Sequence, residues 1–270
     1  MVGKAKEKGK SFWYYLFKFL WFIIKIPYYL IRGIVKMFSW TGKKAAEARI
    51  KSKRGSIRPV FEDFKIIETL EGDFSRFSKT LAEAESKIGI ILGARGSGKT
   101  AFGVKFLENM HAKTGKNCYA LGFKDEDFPS WINVVEDVSQ IKNNSIVLID
   151  EGGILFNSRN SMSAANKFLS DLILVARHKN LSILFISQNS SNLEVNILRQ
   201  ADFLVLKPSS LLQKEFERKI IQKMYEDTNA HFEKHKDVKG LTHIFSGDFK
   251  GFVANPLPSF WGQSISKSFR

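Results

Sequence analysis

The chain has 270 residues, 44% of them hydrophobic, which suffices for one α/β domain of about 200 residues plus an appendage. Its formal charge of +15, from 42 Lys and Arg against 27 Asp and Glu, suggests a polyanionic partner such as nucleic acid or anionic lipid. A single cysteine, Cys118, excludes an intrachain disulfide, and its place in the apolar run Cys118-Tyr119-Ala120-Leu121 reads as a buried strand position in a reducing compartment.

The charge is unevenly spread. Residues 1–60 carry fifteen Lys and Arg against two Glu, which leaves 27 against 25 for residues 61–270. The basic excess therefore belongs to the N-terminal appendage. Residues 1–10 alternate Lys with small residues and read as a disordered basic tail. Residues 11–40 crowd Phe, Trp and Tyr together with Leu and Ile, interrupted by Lys18, Lys25, Arg32 and Lys36. At 100° per residue those four charges fall within roughly 40° of one another, a narrow basic stripe on an apolar helix.

That surface is too large to leave in water. The segment is expected to associate with an anionic membrane surface, lying in the interface or spanning, with the domain that follows it on the cytoplasmic side. A helix buried in a subunit interface is the alternative. The short uninterrupted apolar core and small-residue cleavage site of a secretory signal are missing, so no cleavage is expected. Residues 41–58 form a basic linker, residues 59–262 the main domain and residues 263–270 a tail.

From residue 59 onward short β-like runs alternate with amphipathic helices, the pattern of a parallel α/β sheet with helices on both faces. Strands are predicted at 64–68, 88–92, 117–121, 145–149, 181–187 and 203–206. Ala165, Phe168, Leu169, Leu172, Val175 and Ala176 mark one helix, and Leu212, Phe216, Ile220 and Met224 mark another. Thr242–Phe245 and Phe249–Val253 flank Ser246-Gly247-Asp248 as a closing hairpin. His231, His235 and His243 lack the Cys pair or carboxylates that would complete a zinc set, and read as surface histidines.

Gly93-Ala94-Arg95-Gly96-Ser97-Gly98-Lys99-Thr100 fits the eight-position phosphate-loop pattern and stands between a predicted strand and a predicted helix. Backbone N–H groups of such a loop wrap a phosphate, and the helix that starts there points its positive end at the same anion. Lys99 is expected to reach the β- and γ-phosphates of ATP, and the Thr100 hydroxyl to ligate Mg2+. The run Ile146-Val147-Leu148-Ile149 ends on Asp150-Glu151, at the strand edge where α/β folds place ligands. Asp150 is expected in the Mg2+ shell and Glu151 beside the attacking water. Gln188 and Asn189 end another strand, either beside the γ-phosphate or as caps of the following turn.

Together with the run Ala176-Arg177-His178-Lys179-Asn180-Leu181 and the run Asn196-Ile197-Leu198-Arg199-Gln200-Ala201-Asp202, these motifs resemble the FtsK/HerA superfamily of P-loop motors. Within it they look like the zonula-occludens-toxin-like and viral ATPases that package or extrude DNA, although in the former the membrane segment follows the ATPase domain. The resemblance implies a homo-oligomeric ring acting on DNA, in which an arginine of one subunit reaches the ATP of its neighbour, here Arg177 or Arg199. Arg177 equally suits the C-terminal end of its own helix, and Arg199 a surface ion pair. The expected function is a membrane-associated ATP-hydrolysing motor that translocates DNA in packaging, extrusion or conjugation. The alternative is a membrane-attached ATPase that energises assembly of a protein machine.

Overall fold

The computed structural model describes residues 54–124, 128–150, 172–193, 195–262 and 265, together with Trp21 and Arg32. The basic tail, the rest of the apolar segment, most of the linker, and the stretch from Glu151 to Asp171 with Gly152 and Gly153 lie outside the described residues.

Nine strands form one sheet. In chain order they are β1 (Lys65–Gly72), β2 (Ile88–Leu92), β3 (Asn117–Leu121), β4 (Ile132–Val135), β5 (Ser145–Asp150), β6 (Ser182–Ile186), β7 (Phe203–Leu206), β8 (Leu241–Ser246) and β9 (Phe249–Ala254). Helices are α1 (Phe74–Glu83), α2 (Lys99–Thr114), α3 (described over residues 172–179), α4 (Val195–Gln200), α5 (Leu211–Phe216) and α6 (Lys219–Lys234). The strand order is β1-β9-β8-β7-β2-β6-β5-β3-β4. The run from β7 to β4 is parallel, and β8, β9 and β1 add an antiparallel edge.

Strands buried on both sides read as continuous apolar runs, and β2, β5 and β6 do so here. Their side chains alternate between two cores. Ile90, Leu92, Val147, Ile149 and Phe185 face one core, closed by Leu172 and Ala176 of α3, Ile197 of α4 and Tyr225 of α6. Ile91, Ile146, Leu148 and Leu184 face the other, closed by Phe77 and Leu81 of α1 and by Phe102, Phe106 and Met110 of α2. Helices thus cover both faces of the sheet.

Three local expectations change. Strand β1 begins one residue after Phe64, which turns into the core, and continues to Gly72 because β9 pairs with it along its length. Strand β4, a four-residue run beside β3, is too short for its alternation to stand out from a loop. The stretch from Leu212 to Met224 is two helices broken at Glu217-Arg218, and Leu212, Phe216 and Ile220 are 70–76% exposed. The break turns the Glu217 carboxylate inward and lets Ile221, Tyr225 and Phe232 supply the buried face instead.

His231 and His235 are partly buried and join α6 to β1. Both meet Glu68 Oε2, at 3.0 and 2.8 Å, while the Lys234 ammonium lies 3.0 Å from Oε1. The hydrogen bond from His231, followed by those from His235 and Lys234, holds the Glu68 carboxyl down at about 2.

Helix α2 is buried around most of its circumference, including a Lys105–Glu108 ion pair at 2.9 Å with both side chains fully enclosed. The Lys105 ammonium also donates to the Val60 carbonyl at 3.1 Å. Glu108 accepts from Val60 N at 3.1 Å and Ser259 N at 3.1 Å, so one helix turn ties down both the entry and the exit of the domain. Removing one partner strands a buried charge. Lys105→Met is expected to cost about 3–5 kcal/mol in a denaturant melt, as broken buried pairs do. A loss under about 1 kcal/mol would show the pair to be solvated.

Candidate functional site

The loop Gly93–Thr100 leaves the C-terminal end of the central strand β2 and runs directly into α2. Its base is fixed from both neighbouring strands. Ser187 N, just past β6, donates to Ile91 O at 3.0 Å, and Lys207 N, just past β7, donates to Leu92 O at 2.8 Å. Ala94 N then donates to Pro208 O at 3.0 Å. Gly93 is required at this crossing: its φ is +149°, and a Cβ there would meet Lys207 Cβ at 2.5 Å.

Gly98 occupies the position before α2 with φ of +89°, and no side chain caps the helix. Its first-turn N–H groups and helix dipole therefore serve the concave side of the loop, a ready-made anion site. Lys99 is 8% exposed, and its ammonium donates to Gly93 O at 2.8 Å and Ala94 O at 2.9 Å. Burial pushes Lys99 down to about 8, opposed by the negative charges of Asp150 and Glu217.

Asp150 ends β5, two strands from β2, and is 8% exposed. It comes close because α2 packs tightly on β5: a Cβ on Gly103 would meet Leu148 Cδ1 at 2.6 Å. The structure thus brings Lys99, Thr100 and Asp150 to one sheet edge. Thr100 and Asp150 offer hard oxygen donors, and Mg2+ binds through one or two carboxylates plus phosphate and water. Among the described residues no group of three or more His, Cys, Asp or Glu forms a metal cage. Glu151 lies outside the described residues.

Gln188 stands at the same edge, one residue beyond the Ser187 bond to β2. Asn189 takes the capping role: its side chain accepts from Ser191 N at 2.7 Å and starts the turn Ser190–Asn192. Arg177 and Arg199 are exposed at the opposite edge, where parallel strands begin. Arg177 precedes β6 and Arg199 precedes β7, so the length of the sheet separates both from their own phosphate loop.

Three site residues carry no sequence motif. Glu217 is 5% exposed, accepts from Ser190 N at 2.7 Å and contributes its charge to Lys99. Arg218, next to it, donates to Ser190 O at 3.0 Å and Leu193 O at 2.8 Å, so residues 217–218 strap the turn that follows Gln188 and Asn189. Lys207 is 1% exposed beneath the loop, with its ammonium on Asn255 Oδ1 at 2.6 Å and Gly240 O at 3.1 Å. Burial pushes it down to about 7.

A glycine loop between a central parallel strand and a buried helix, with a lysine in its mouth and an aspartate two strands away, is the arrangement of a P-loop phosphate site. Neither a protein-family model nor a curated protein matches the sequence. Among solved structures the chain is similar to the genome packaging NTPase B204 from Sulfolobus turreted icosahedral virus 2 in complex with AMP. That match has 16% identity, covers 64% of this chain and 98% of that one, and gives a TM-score of 0.43. The complex of the same NTPase with AMPPCP gives 16%, 64%, 99% and 0.42. B204, the DNA-packaging ATPase from Sulfolobus turreted icosahedral virus, gives 19%, 64%, 98% and 0.41.

Lys99 and Lys207 set a pH dependence. Both start from 10.5 in the unfolded chain, so above about 7 for Lys207 and about 8 for Lys99 the unfolded chain holds more protons than the folded one. Stability then rises with pH, by up to ~1.4 kcal/mol per unit for each group. Burial raises Cys118 from 9.0 to about 12, and this acts with the opposite sign from about pH 9 upward. The denaturation midpoint is expected to climb between pH 7 and pH 9, and Lys207→Met to flatten the climb. An unaltered slope in that variant would remove Lys207 from the account.

Proposed function

We propose that the chain is an ATP-hydrolysing motor. The observation that carries this reading is the convergence of Lys99, Thr100 and Asp150 around a loop whose backbone is pinned to both neighbouring strands. The loop N–H groups and the start of α2 bind the phosphates, and the Lys99 ammonium neutralises charge at the β- and γ-phosphates. Thr100 and Asp150 would hold Mg2+, which supplies charge neutralisation on the transferred phosphoryl group. Glu151, next in sequence to Asp150, orients the attacking water and takes its proton. Gln188 reads the presence of the γ-phosphate from the end of β6, held there by the strap of Glu217 and Arg218 on the following turn.

DNA is the proposed substrate on the strength of the motif resemblance, which also implies a ring with Arg177 or Arg199 acting on a neighbour's ATP. The near-balanced charge of residues 61–270 favours the second reading, an ATPase that drives assembly of a protein machine. DNA-stimulated hydrolysis separates the two. Lys99→Ala is expected to lose turnover by about a hundredfold or more and to weaken ATP binding. Glu151→Gln should keep binding and lose turnover. Mixing Lys99→Ala with Arg177→Ala or Arg199→Ala subunits should restore activity if an arginine acts in trans. Normal turnover in Glu151→Gln would reassign the base, and full activity in both arginine variants would remove the trans arginine.

The aromatic, lysine-striped segment 11–40 supports placement on an anionic membrane surface, with the ATPase domain on the cytoplasmic side. Flotation with anionic liposomes tests this. The full chain is expected to float, and full chain that stays in the soluble fraction without lipid or detergent would replace the anchor with a docking helix.

A further inference from the structure

Among the described residues three lysines are buried, Lys99, Lys105 and Lys207, and two of them have acids to answer their charge. Lys105 pairs with Glu108 at 2.9 Å, and Asp150 and Glu217 act on Lys99. Lys207 has no such partner among the described residues. Its ammonium meets uncharged oxygens, Asn255 Oδ1 at 2.6 Å, Gly240 O at 3.1 Å and Leu241 O at 3.3 Å. We propose that the missing countercharge is the triphosphate in the loop, which makes Lys207 a second phosphate-directed cation and links nucleotide binding to its protonation. The proposal rests on the reading of Gly93–Thr100 as an ATP site.

Position is the first argument. A Cβ on Gly93 would meet Lys207 Cβ at 2.5 Å, and a Cβ on Gly98 would stand 4.0 Å from Lys207 Nζ. The side chain therefore runs beneath the loop from its first glycine to its last, and its charge ends at the start of α2. No side chain caps that helix, so its first N–H groups make the same region positive. Two positive potentials thus add where the loop wraps an anion. Lys207 is 1% exposed, so it acts on that anion through the loop by charge and not by contact.

Burial is the second. Charging an enclosed amine that has no acid beside it is costly, and burial pushes Lys207 down to about 7. The groups that face it do not offset this. The Tyr225 hydroxyl of α6 donates to Lys207 O at 3.2 Å, and burial raises its titration, so it stays neutral. His243 of β8, the register partner of Leu206, is pushed down to about 4 by burial and is neutral as well. From α2, the Phe102 ring lies 5.7 Å from the ammonium, and Lys99, bonded to the carbonyls of Gly93 and Ala94, is a like charge. Lys214, Glu233 and Lys236 line the adjoining cavity with Gly240 and Leu241, none of them paired with Lys207.

Near pH 8 the free protein therefore holds Lys207 mostly neutral, and phosphate oxygens in the loop draw a proton onto it. The complex then carries more protons than its free components, so affinity falls as pH rises through this window. A rise of about one unit on binding gives an uptake of roughly half a proton at pH 8, and a gain in affinity of about fivefold at pH 7 that is nearly gone at pH 9.

The test is calorimetry of Mg2+-ATPγS binding to the full chain at pH 8 in buffers of different ionisation enthalpy, which counts the protons taken up per nucleotide. This pH lies above the last phosphate ionisation, near about 6, so the ligand itself takes up none. Lys207→Met is expected to take up roughly half a proton less than the unmodified chain, and to bind about fivefold more weakly at pH 7 but equally at pH 9. Asn255→Asp sets an acid on the ammonium and charges Lys207 in advance, so it should lose the same half proton. It keeps the lysine, and decides alone where Lys207→Met does not fold. Uptake in either variant equal to that of the unmodified chain overturns the assignment. So does an affinity loss in Lys207→Met that is constant from pH 7 to pH 9, the mark of a purely structural anchor. If the unmodified chain binds the nucleotide without taking up a proton, the linkage alone falls. If it binds none, the ATP reading falls with it.

Discussion

Two backbone hydrogen bonds fix the end of β2: Ser187 N on Ile91 O and Lys207 N on Leu92 O. Everything the loop does depends on that anchorage, because a glycine-rich segment left to itself samples too many conformations to keep its N–H groups converged. Below the loop, Lys207 fills the space that the missing side chain of Gly93 leaves, and its ammonium reaches across to Asn255 and Gly240 at the antiparallel edge. The far hairpin thus reaches the phosphate site through one side chain. A buried lysine is a costly way to make that link, and its displaced titration records the cost.

The electrostatics above the loop follow the opposite logic. Lys99 loses water on burial, and two carboxylates, Asp150 and Glu217, restore part of what its charge loses. A phosphate at the same place would add to their effect and hold the ammonium more fully charged. Glu217 also accepts from Ser190 N, and Arg218 binds Ser190 O and Leu193 O. The charge beside Lys99 and the position of the turn after Gln188 are therefore set by adjacent residues at one helix break.

The phosphate loop, Asp150 and most of the parallel strands were legible because each is a local signal: a glycine spacing, a continuous apolar run, a strand ending in acids. The α5–α6 break was not. Leu212, Phe216, Ile220 and Met224 keep one helical spacing across it, and the bonds of Glu217 and Arg218 to the distant Ser190–Leu193 turn hold the chain where it interrupts. Lys207 was hidden for a similar reason. In Lys207-Pro208-Ser209 it reads as a solvated turn, and its burial comes from β8 and β9, far along the chain. Strand β4 was missed because four residues give too little alternation to stand out from a loop.

The arginines show where a sequence motif and a structure carry different information. Arg177 and Arg199 belong to the edge where the parallel strands begin, while Lys99 and Asp150 belong to the edge where they end. A five-residue strand spans about 17 Å, beyond the length of an arginine side chain. Neither arginine can therefore complete the site of the chain that carries it. Under the proposed role in trans, contact with phosphate would come from a second copy that turns its strand-start edge toward the first copy's phosphate loop. Such a contact joins unlike regions of two surfaces: a ring or filament repeats it head to tail, and an antiparallel two-fold pair would make it twice.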